Sequence, residues 1–241
     1  MAIEQQPEEQ RLTVHKSNDL VEASYSLTLS EQRIILAAIG RINGYDPASL
    51  KVMRTRITAR EYAARYNLDE NSAYEALQAA ADRLYERDIR RIEGRVRERF
   101  RWVSSVKYDD GEGAIELGWS LEILPYLTLL EQRYTIYDLE QISRLESAYS
   151  IRLYEMLVRW KGTGEWYIKL DDFRDRLDLG DKYPRFSSLK ARVIQPAVDS
   201  INAHTDLDLD WEPIRKGRQV VRLMFIVAER RQHPLALQGG E

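Results

Sequence analysis

The segment that begins at Leu170 constrains the fold more than any other part of the chain. Residues 170–177 form a short amphipathic segment with acids in its first turn, where the helix dipole favours them. Gly180 suits a helix C-terminus, and Pro184 is placed to start a longer helix that runs to about Asn202. A strand, a basic connection and a second strand follow, at residues 207–211, 215–218 and 220–226. This order predicts a winged helix-turn-helix.

The longer helix has a charge pattern suited to DNA. No acid occurs from Lys182 to Val198, whereas four bases do: Lys182, Arg185, Lys190 and Arg192. One predicted side is apolar and consists of Phe186, Leu189, Val193, Ala197 and Ile201; the other consists of Arg185, Ser188, Arg192 and Gln195. Such polar residues can reach bases and phosphates, although an amphipathic core helix with a solvated face is the alternative. Pro196 predicts a kink or a break.

The first half of the chain has a similar order of elements. Predicted helices begin at Ser30, Thr58 and Ser72, and their counterparts begin at Ser147, Asp171 and Arg185, with offsets of 117, 113 and 113 residues. Thr28 with Glu31, and Thr58 with Glu61, have capping-box spacing. We expect the first helix to end near residues 43–44 and the third to run over 72–87. Strands are predicted at 52–57, 89–106 and 114–119.

This repeat predicts an α+β fold of two tandem winged helix-turn-helix domains, with a single larger α+β domain as the alternative. The predicted divisions are an N-terminal tail (1–12), a first domain (13–133), a second domain (134–230) and a C-terminal tail (231–241). The predicted strand at 89–106 is rich in arginine: eight arginines against four acids occur between Arg83 and Arg101. These arginines could contact phosphates, or they could keep a strand edge soluble.

Composition excludes several classes of protein. The chain has no cysteine, which excludes a disulfide scaffold and a cysteine-ligated metal. Its three histidines have no metal-ligand spacing, and no phosphate-binding Gly-x-x-x-x-Gly-Lys-Ser/Thr motif occurs. We therefore expect no enzymatic activity, no catalytic residue, no metal site and no cofactor.

The charge and hydropathy of the chain limit its location and its partners. No apolar run approaches the about 20 residues of a membrane span, and the N-terminus lacks a signal pattern, so we expect a cytoplasmic protein. The net charge of −3 gives no general affinity for nucleic acid. A DNA-binding surface must therefore come from local segregation of charge.

Four stretches carry a resemblance to a known family. They are Val14-His15-Lys16-Ser17-Asn18-Asp19-Leu20 with residues 26–33, Ser147-x-Tyr149-x-Ile151-Arg152-Leu153-Tyr154-Glu155-x-Leu157, Tyr183-x-Arg185-Phe186-x-x-Leu189-Lys190-x-Arg192-Val193-Ile194-x-Pro196-Ala197, and Lys216-Gly217-Arg218. Together they make residues 14–227 resemble the iteron-binding plasmid replication initiators. The resemblance implies two winged-helix domains that bind direct repeats at a plasmid origin and help to melt adjacent AT-rich DNA. It also implies recruitment of the host initiator and the replicative helicase, and a dimer, joined through the N-terminal domain, that represses the initiator's own promoter.

The resemblance also assigns DNA contacts by position. The second domain would contact double-stranded DNA through Tyr183, Arg185, Ser187, Ser188, Lys190 and Arg192, and through Lys216 and Arg218 at the wing. The second helix of the first helix-turn-helix is acidic, so the expected contacts of the first domain move to Arg90, Arg91, Arg95 and Arg97. A winged-helix transcriptional repressor without origin function, and a DNA-nicking enzyme, are the competing hypotheses.

Overall fold

The computed structural model describes residues 12–42, 53–127 and 133–230, which form two halves with a similar order of elements. The first half contains β1 Thr13–Ser17, α1 Asn18–Glu22, α2 Leu29–Ile42, β2 Arg54–Thr58, α3 Ala59–Tyr66, α4 Glu70–Tyr85, β3 Asp88–Glu93, β4 Val96–Arg101, β5 Val103–Asp109, β6 Ala114–Trp119 and α5 Leu124–Leu127. The second contains β7 Tyr134–Asp138, α6 Leu139–Ser143, α7 Ala148–Leu157, β8 Glu165–Lys169, α8 Leu170–Arg176, α9 Phe186–Leu189, α10 Gln195–His204, β9 Leu207–Lys216 and β10 Gln219–Glu229.

Local sequence signals start the helices of the first half. Both predicted capping boxes are present: the Thr28 amide donates to Glu31 over 2.8 Å, and the Thr58 amide donates to Glu61 over 3.0 Å. Helix α4 begins two residues earlier than predicted and ends at Tyr85, because Asp69 accepts a hydrogen bond from the Ser72 amide as its N-cap. The expected end of α2 at residues 43–44, and most of both predicted tails, lie outside the described residues.

Each half contains a three-stranded antiparallel sheet with the same topology. The strand orders are β2-β6-β5 and β8-β10-β9, so the strand before each helix-turn-helix pairs with the last strand of its hairpin. In the second hairpin a two-residue turn joins Lys216 to Gln219. Gly217 has a φ of 62°, as the first central position of a type II′ turn requires. The two winged-helix units predicted from the repeat are confirmed, and so is the α+β class.

The predicted single strand at 89–106 is wrong. The chain instead turns at Gly94, whose φ is 58°, and β3 pairs with β4 in a separate two-stranded sheet before β5 begins. The turn was missed because the arginines on both sides of Gly94 hide the break in the strand pattern. This extra hairpin, β3–β4, lies between α4 and β5 and has no counterpart among the described residues of the second half.

The two halves are joined by equivalent elements. Strands β1 and β7 pair antiparallel, with His15 opposite Ile136 at the centre, and the predicted boundary at residue 133 falls just before β7. Helix α1 packs on α7 and helix α2 packs on α6, so each half's short helix contacts the other half's long helix. An approximate two-fold axis through the β1–β7 pair therefore relates the first elements of the halves. Within the residues described here, no helix is both long and apolar enough to cross a bilayer.

Candidate nucleic-acid interface

The helix that follows the turn in the second half buries its predicted apolar side. Leu189, Val193, Ala197 and Ile201 are buried, and Phe186 is partly buried against the core. The polar side therefore faces outward. Arg185, Ser187, Lys190 and Arg192 are exposed, and Ser188 is half-buried. By helical spacing Arg185, Ser188 and Arg192 share one side of the helix, whereas Ser187 and Lys190 line the cleft towards the wing. Their contact with DNA stays a prediction.

Two arginines on this face have free guanidinium groups. Among the described residues, neither Arg185 nor Arg192 forms an ion pair or a side-chain hydrogen bond. Gln195 behaves differently: its amide donates to Asp199 over 2.8 Å and accepts from the Trp211 indole over 3.2 Å. Gln195 therefore fastens the helix to β9 rather than facing outward.

Pro196 does not break the helix. The chain passes from α9 to α10 through a π-helical turn, Lys190–Ile194, closed by a hydrogen bond from the Gln195 amide to the Lys190 carbonyl. Proline lacks an amide hydrogen and crowds the carbonyl four residues earlier, so the wider turn accommodates it without a break. The predicted break is therefore absent, and the helix widens locally over Lys190–Ile194 instead.

The turn before this helix is held by one arginine. The Arg174 guanidinium donates to the carbonyls of Gly180, Lys182 and Tyr183 over 2.9, 2.7 and 2.9 Å. Three residues of the turn have left-handed backbone: Asp178, Gly180 and Tyr183. For Tyr183, a bulky residue, this conformation is costly and needs such support.

The Tyr183 side chain is directed towards the protein as well as the surface. Its ring meets that of Tyr149 edge to face, with centroids 6.4 Å apart. Burial raises the pKa of Tyr149 to about 12, and the hydrogen bond to Tyr183 adds to the shift. Of the predicted contacts, Tyr183 is therefore the one whose ring is already used in packing.

A cleft of about 570 Å³ separates the helix from the wing. Its lining includes Ser187 and Lys190 from the helix, and Arg215, Arg218 and Gln219 from the wing. The Lys190 ammonium lies 5.6 Å from the centroid of the Trp211 ring. Because cations line both walls, the cleft suits a phosphate backbone.

Arg215 and Gln219 were not among the predicted contacts. The two-residue turn pairs Gln219 with Lys216 and Val220 with Arg215, which gives both residues their positions beside the cleft. A register argument from Gly217 could have found them. The Arg215 guanidinium also donates to the Arg218 carbonyl over 3.2 Å and so braces the tip of the wing.

The equivalent face of the first half is acidic. Exposed carboxylates on α4 and on the β5–β6 turn are Glu70, Glu75, Asp82, Asp110 and Glu112. The bases Arg83 and Arg87 turn away from this face and pair with the buried Glu31 over 3.2 and 3.1 Å. A phosphate backbone would be repelled here, as the acidic sequence of this helix indicates.

The β3–β4 hairpin carries the four arginines predicted to contact DNA from the first half. Arg90 pairs with Asp178 of the second half, and Arg91 pairs with Asp19 over 2.8 Å and with Glu98 over 3.0 Å. Arg95 and Arg97 are exposed beside the hairpin turn and form no ion pair within the described ranges. The structure thus leaves Arg95 and Arg97 open to solvent, while the other two already bind carboxylates.

Tandem winged helices with one cationic helix-and-wing face define a DNA-binding protein of two winged-helix domains. A family model described as Initiator Replication protein, WH1, matches residues 13–158, and one described as Initiator Rep protein, WH2, matches residues 169–227. The chain therefore belongs to the family of replication initiator proteins. The two matches are separated by residues 159–168, from just after α7 through most of β8, whereas the repeat of elements starts again at β7.

Individual relatives agree with this assignment. A replication initiation protein of Escherichia coli is 30% identical over 235 residues, which cover 94% of this chain and 73% of the relative. An uncharacterized 27.6 kDa protein of Escherichia coli is 23% identical over 209 residues, covering 82% of this chain and 87% of the relative. The crystal structure of the Pi initiator protein in complex with iteron DNA superposes with a TM-score of 0.76 at 21% identity, covering 92% of this chain and all of that one. That likeness is one of fold.

Proposed function

We propose that this chain is a plasmid replication initiator that binds direct repeats, or iterons, in double-stranded DNA at its origin. Its recognition face is Arg185, Ser187, Ser188, Lys190 and Arg192 on the helix, with Lys216 and Arg218 at the wing. Arg95 and Arg97 add phosphate contacts from the first half. The observation that carries the proposal is the acid-free helix face with two unpaired arginines beside a cationic cleft. Family membership and the solved complex of the Pi initiator with iteron DNA support it.

The proposal includes the later steps of initiation. The bound monomer helps to open adjacent AT-rich DNA, the host initiator and replicative helicase join the complex, and a homodimer represses the initiator's own promoter. The protein acts in the cytoplasm by binding, without catalysing a reaction. A covalent adduct between protein and DNA in the presence of magnesium or manganese would contradict this part and favour a nicking enzyme.

The test is fluorescence anisotropy with duplexes from the protein's own replicon, a scrambled duplex and a salt series. We expect monomeric binding that is specific for the repeat and weakens steeply as salt rises, because each neutralised phosphate releases counterions. Equal affinity for repeat and scrambled duplexes would refute the proposal. Binding only as a dimer to an inverted site would favour a repressor.

A further inference from the structure

A cluster of charged side chains is fully buried where the two halves meet. Lys16 of β1 and the pair Arg152 and Glu155 of α7 are 3%, 2% and 1% exposed. The Lys16 ammonium lies 2.5 Å from one Glu155 oxygen, which also accepts a hydrogen bond from the Tyr137 hydroxyl over 2.6 Å. The other Glu155 oxygen lies 3.4 Å from the Arg152 guanidinium.

Arg152 extends the cluster to several elements. Its guanidinium stacks 3.8 Å from the centroid of the Tyr25 ring and donates to the Tyr25 hydroxyl. It also donates to the carbonyls of Val21 and Ala23 in the first half, over 3.1 and 3.0 Å. A fourth bond, 3.1 Å long, reaches the carbonyl of Arg176 at the end of α8. One side chain thus ties the first half to the helix that begins the second helix-turn-helix.

Burial and attraction act against each other in this cluster, and burial lowers the pKa of Lys16. Burial alone would raise the pKa of Glu155, but the attraction of Lys16 and Arg152 outweighs it and holds that pKa below its ordinary value. Buried ion pairs are weak contributors to stability, because desolvation offsets much of the attraction, and apolar replacements are often neutral or stabilising. What these contacts add is direction, because the carboxylate oxygens and the guanidinium N–H groups bind their partners within a narrow range of distance and angle. Cluster geometry therefore constrains orientation more than it does stability.

The two predicted DNA-contacting surfaces lie on opposite sides of this junction. The helix and wing belong to the second half, and the hairpin with Arg95 and Arg97 belongs to the first. Further contacts join the halves near the hairpin: Arg90 of β3 pairs with Asp178 in the turn of the second helix-turn-helix, and the hydroxyl of Ser24, which bridges to Arg90, donates to the Asp175 carbonyl of α8 over 2.6 Å. A change in the orientation of the halves would therefore change the distance between the two surfaces.

We propose that the Lys16–Arg152–Glu155 cluster fixes this distance and so determines which spacing between two contacted DNA segments the protein accepts. The proposal rests on the proposed function, since it assumes that both surfaces contact one repeat. Lys16, Arg152 and Glu155 act as positioning residues, because they are buried and touch no DNA.

Two measurements test the proposal separately. The chain contains no cysteine, so cysteines introduced at the exposed helix positions Ala76 and Ala203 can be spin-labelled selectively. Double electron–electron resonance then gives the distribution of distances between the two spin labels, one in each half. Hydroxyl-radical footprinting first locates the two protected segments of the repeat, and duplexes with two base pairs inserted or removed between them then measure spacing discrimination.

The variant is the triple replacement Lys16→Met, Arg152→Met and Glu155→Met, which removes all three charges together and leaves none unpaired. We expect it to fold and to show a distance distribution at least about twice as broad as that of the unmodified chain. The unmodified chain should bind the duplex with natural spacing about tenfold or more tighter than the altered duplexes. For the variant this ratio of Kd values should be less than about threefold, because the two surfaces can then contact one duplex in more than one relative orientation. Glu116→Gln, which breaks the exposed pair with Arg54, is the control and should change neither quantity.

A folded triple variant that keeps both the narrow distribution and the spacing preference would overturn the proposal. If the triple variant does not fold, Lys16→Met, which leaves Arg152 and Glu155 as a charge-balanced pair, should also broaden the distribution; an unchanged distribution would overturn the proposal equally. Absence of repeat-specific binding by the unmodified chain would refute the proposed function instead. In that case the distance distribution would still decide whether the cluster fixes the relative orientation of the two halves.

Discussion

Replacing Arg192 by alanine is the most direct perturbation of the proposed recognition face. Arg192 is exposed and has no ion pair in the described part of the chain, so its removal leaves no buried group unsatisfied. The loss should therefore appear in binding rather than in folding. One good bidentate contact to a base is worth about 1–3 kcal/mol, which is about 5- to 150-fold in Kd.

The assay is anisotropy on the natural repeat and on a set of repeats with single base-pair changes. Arg192→Ala should bind the natural repeat more weakly and should lose discrimination at one or two adjacent positions, while its thermal unfolding stays unchanged. Arg60→Ala is the matched control, because Arg60 is likewise exposed and without an ion pair among the described residues, but lies on α3 of the first half. Equal losses on natural and scrambled duplexes would show that Arg192 contacts only phosphate. No loss at all would refute the placement of the recognition face.

Three further predictions address the wing, the turn and the buried cluster. Lys216→Ala should weaken binding to natural and scrambled duplexes alike. It should also make the slope of log K against log salt shallower by about one phosphate contact, and a loss that depends on the duplex sequence would contradict a contact to the backbone. Arg174→Ala should speed amide hydrogen exchange at residues 180–183 and weaken repeat binding, because three carbonyls lose their common donor; unchanged exchange would argue against a clamp. The pKa of Glu155 is held below its ordinary 4.5 in the folded protein. Its contribution to the free energy of unfolding should therefore be complete above pH 4.5 and decrease as the pH falls through the lowered pKa. Urea titrations from about pH 7 to pH 3 should show a flatter profile for Glu155→Gln; an identical profile would exclude this contribution.

Local signals in the sequence predicted the helices well. The two capping boxes fixed the starts of α2 and α3, and the 3.6-residue period fixed the buried side of the recognition helix, because both signals involve residues within one or two turns. The β3–β4 hairpin was missed for the opposite reason. A turn at a single glycine between arginine-rich strands leaves no change of period, and only the pairing of Arg90 with Arg99 across the hairpin reveals it.

Long-range contacts explain what the sequence could not predict about the site. Arg90 and Asp178 are far apart in the chain, so no local pattern shows that this arginine is already bound to a carboxylate. The same is true of Lys16 and Glu155, which meet only because β1 pairs with β7. Charge runs locate a basic element, whereas the availability of each charge depends on the tertiary fold.

The two halves show that the winged-helix fold alone does not decide the charge of the helix-and-wing face. They share element order and sheet topology, yet the helix-and-wing face is cationic in the second half and acidic in the first. The two faces differ by several charges. A phosphate backbone is attracted to the cationic face and repelled by the acidic one, so the shared architecture does not make the two faces equivalent. In the first half Arg95 and Arg97, which are exposed and form no ion pair within the described ranges, lie on the β3–β4 hairpin, which is outside the helix-turn-helix. We therefore expect DNA binding to follow the distribution of unpaired charge over the two halves, and the proposed role of the buried cluster is to set how the two cationic surfaces are presented together.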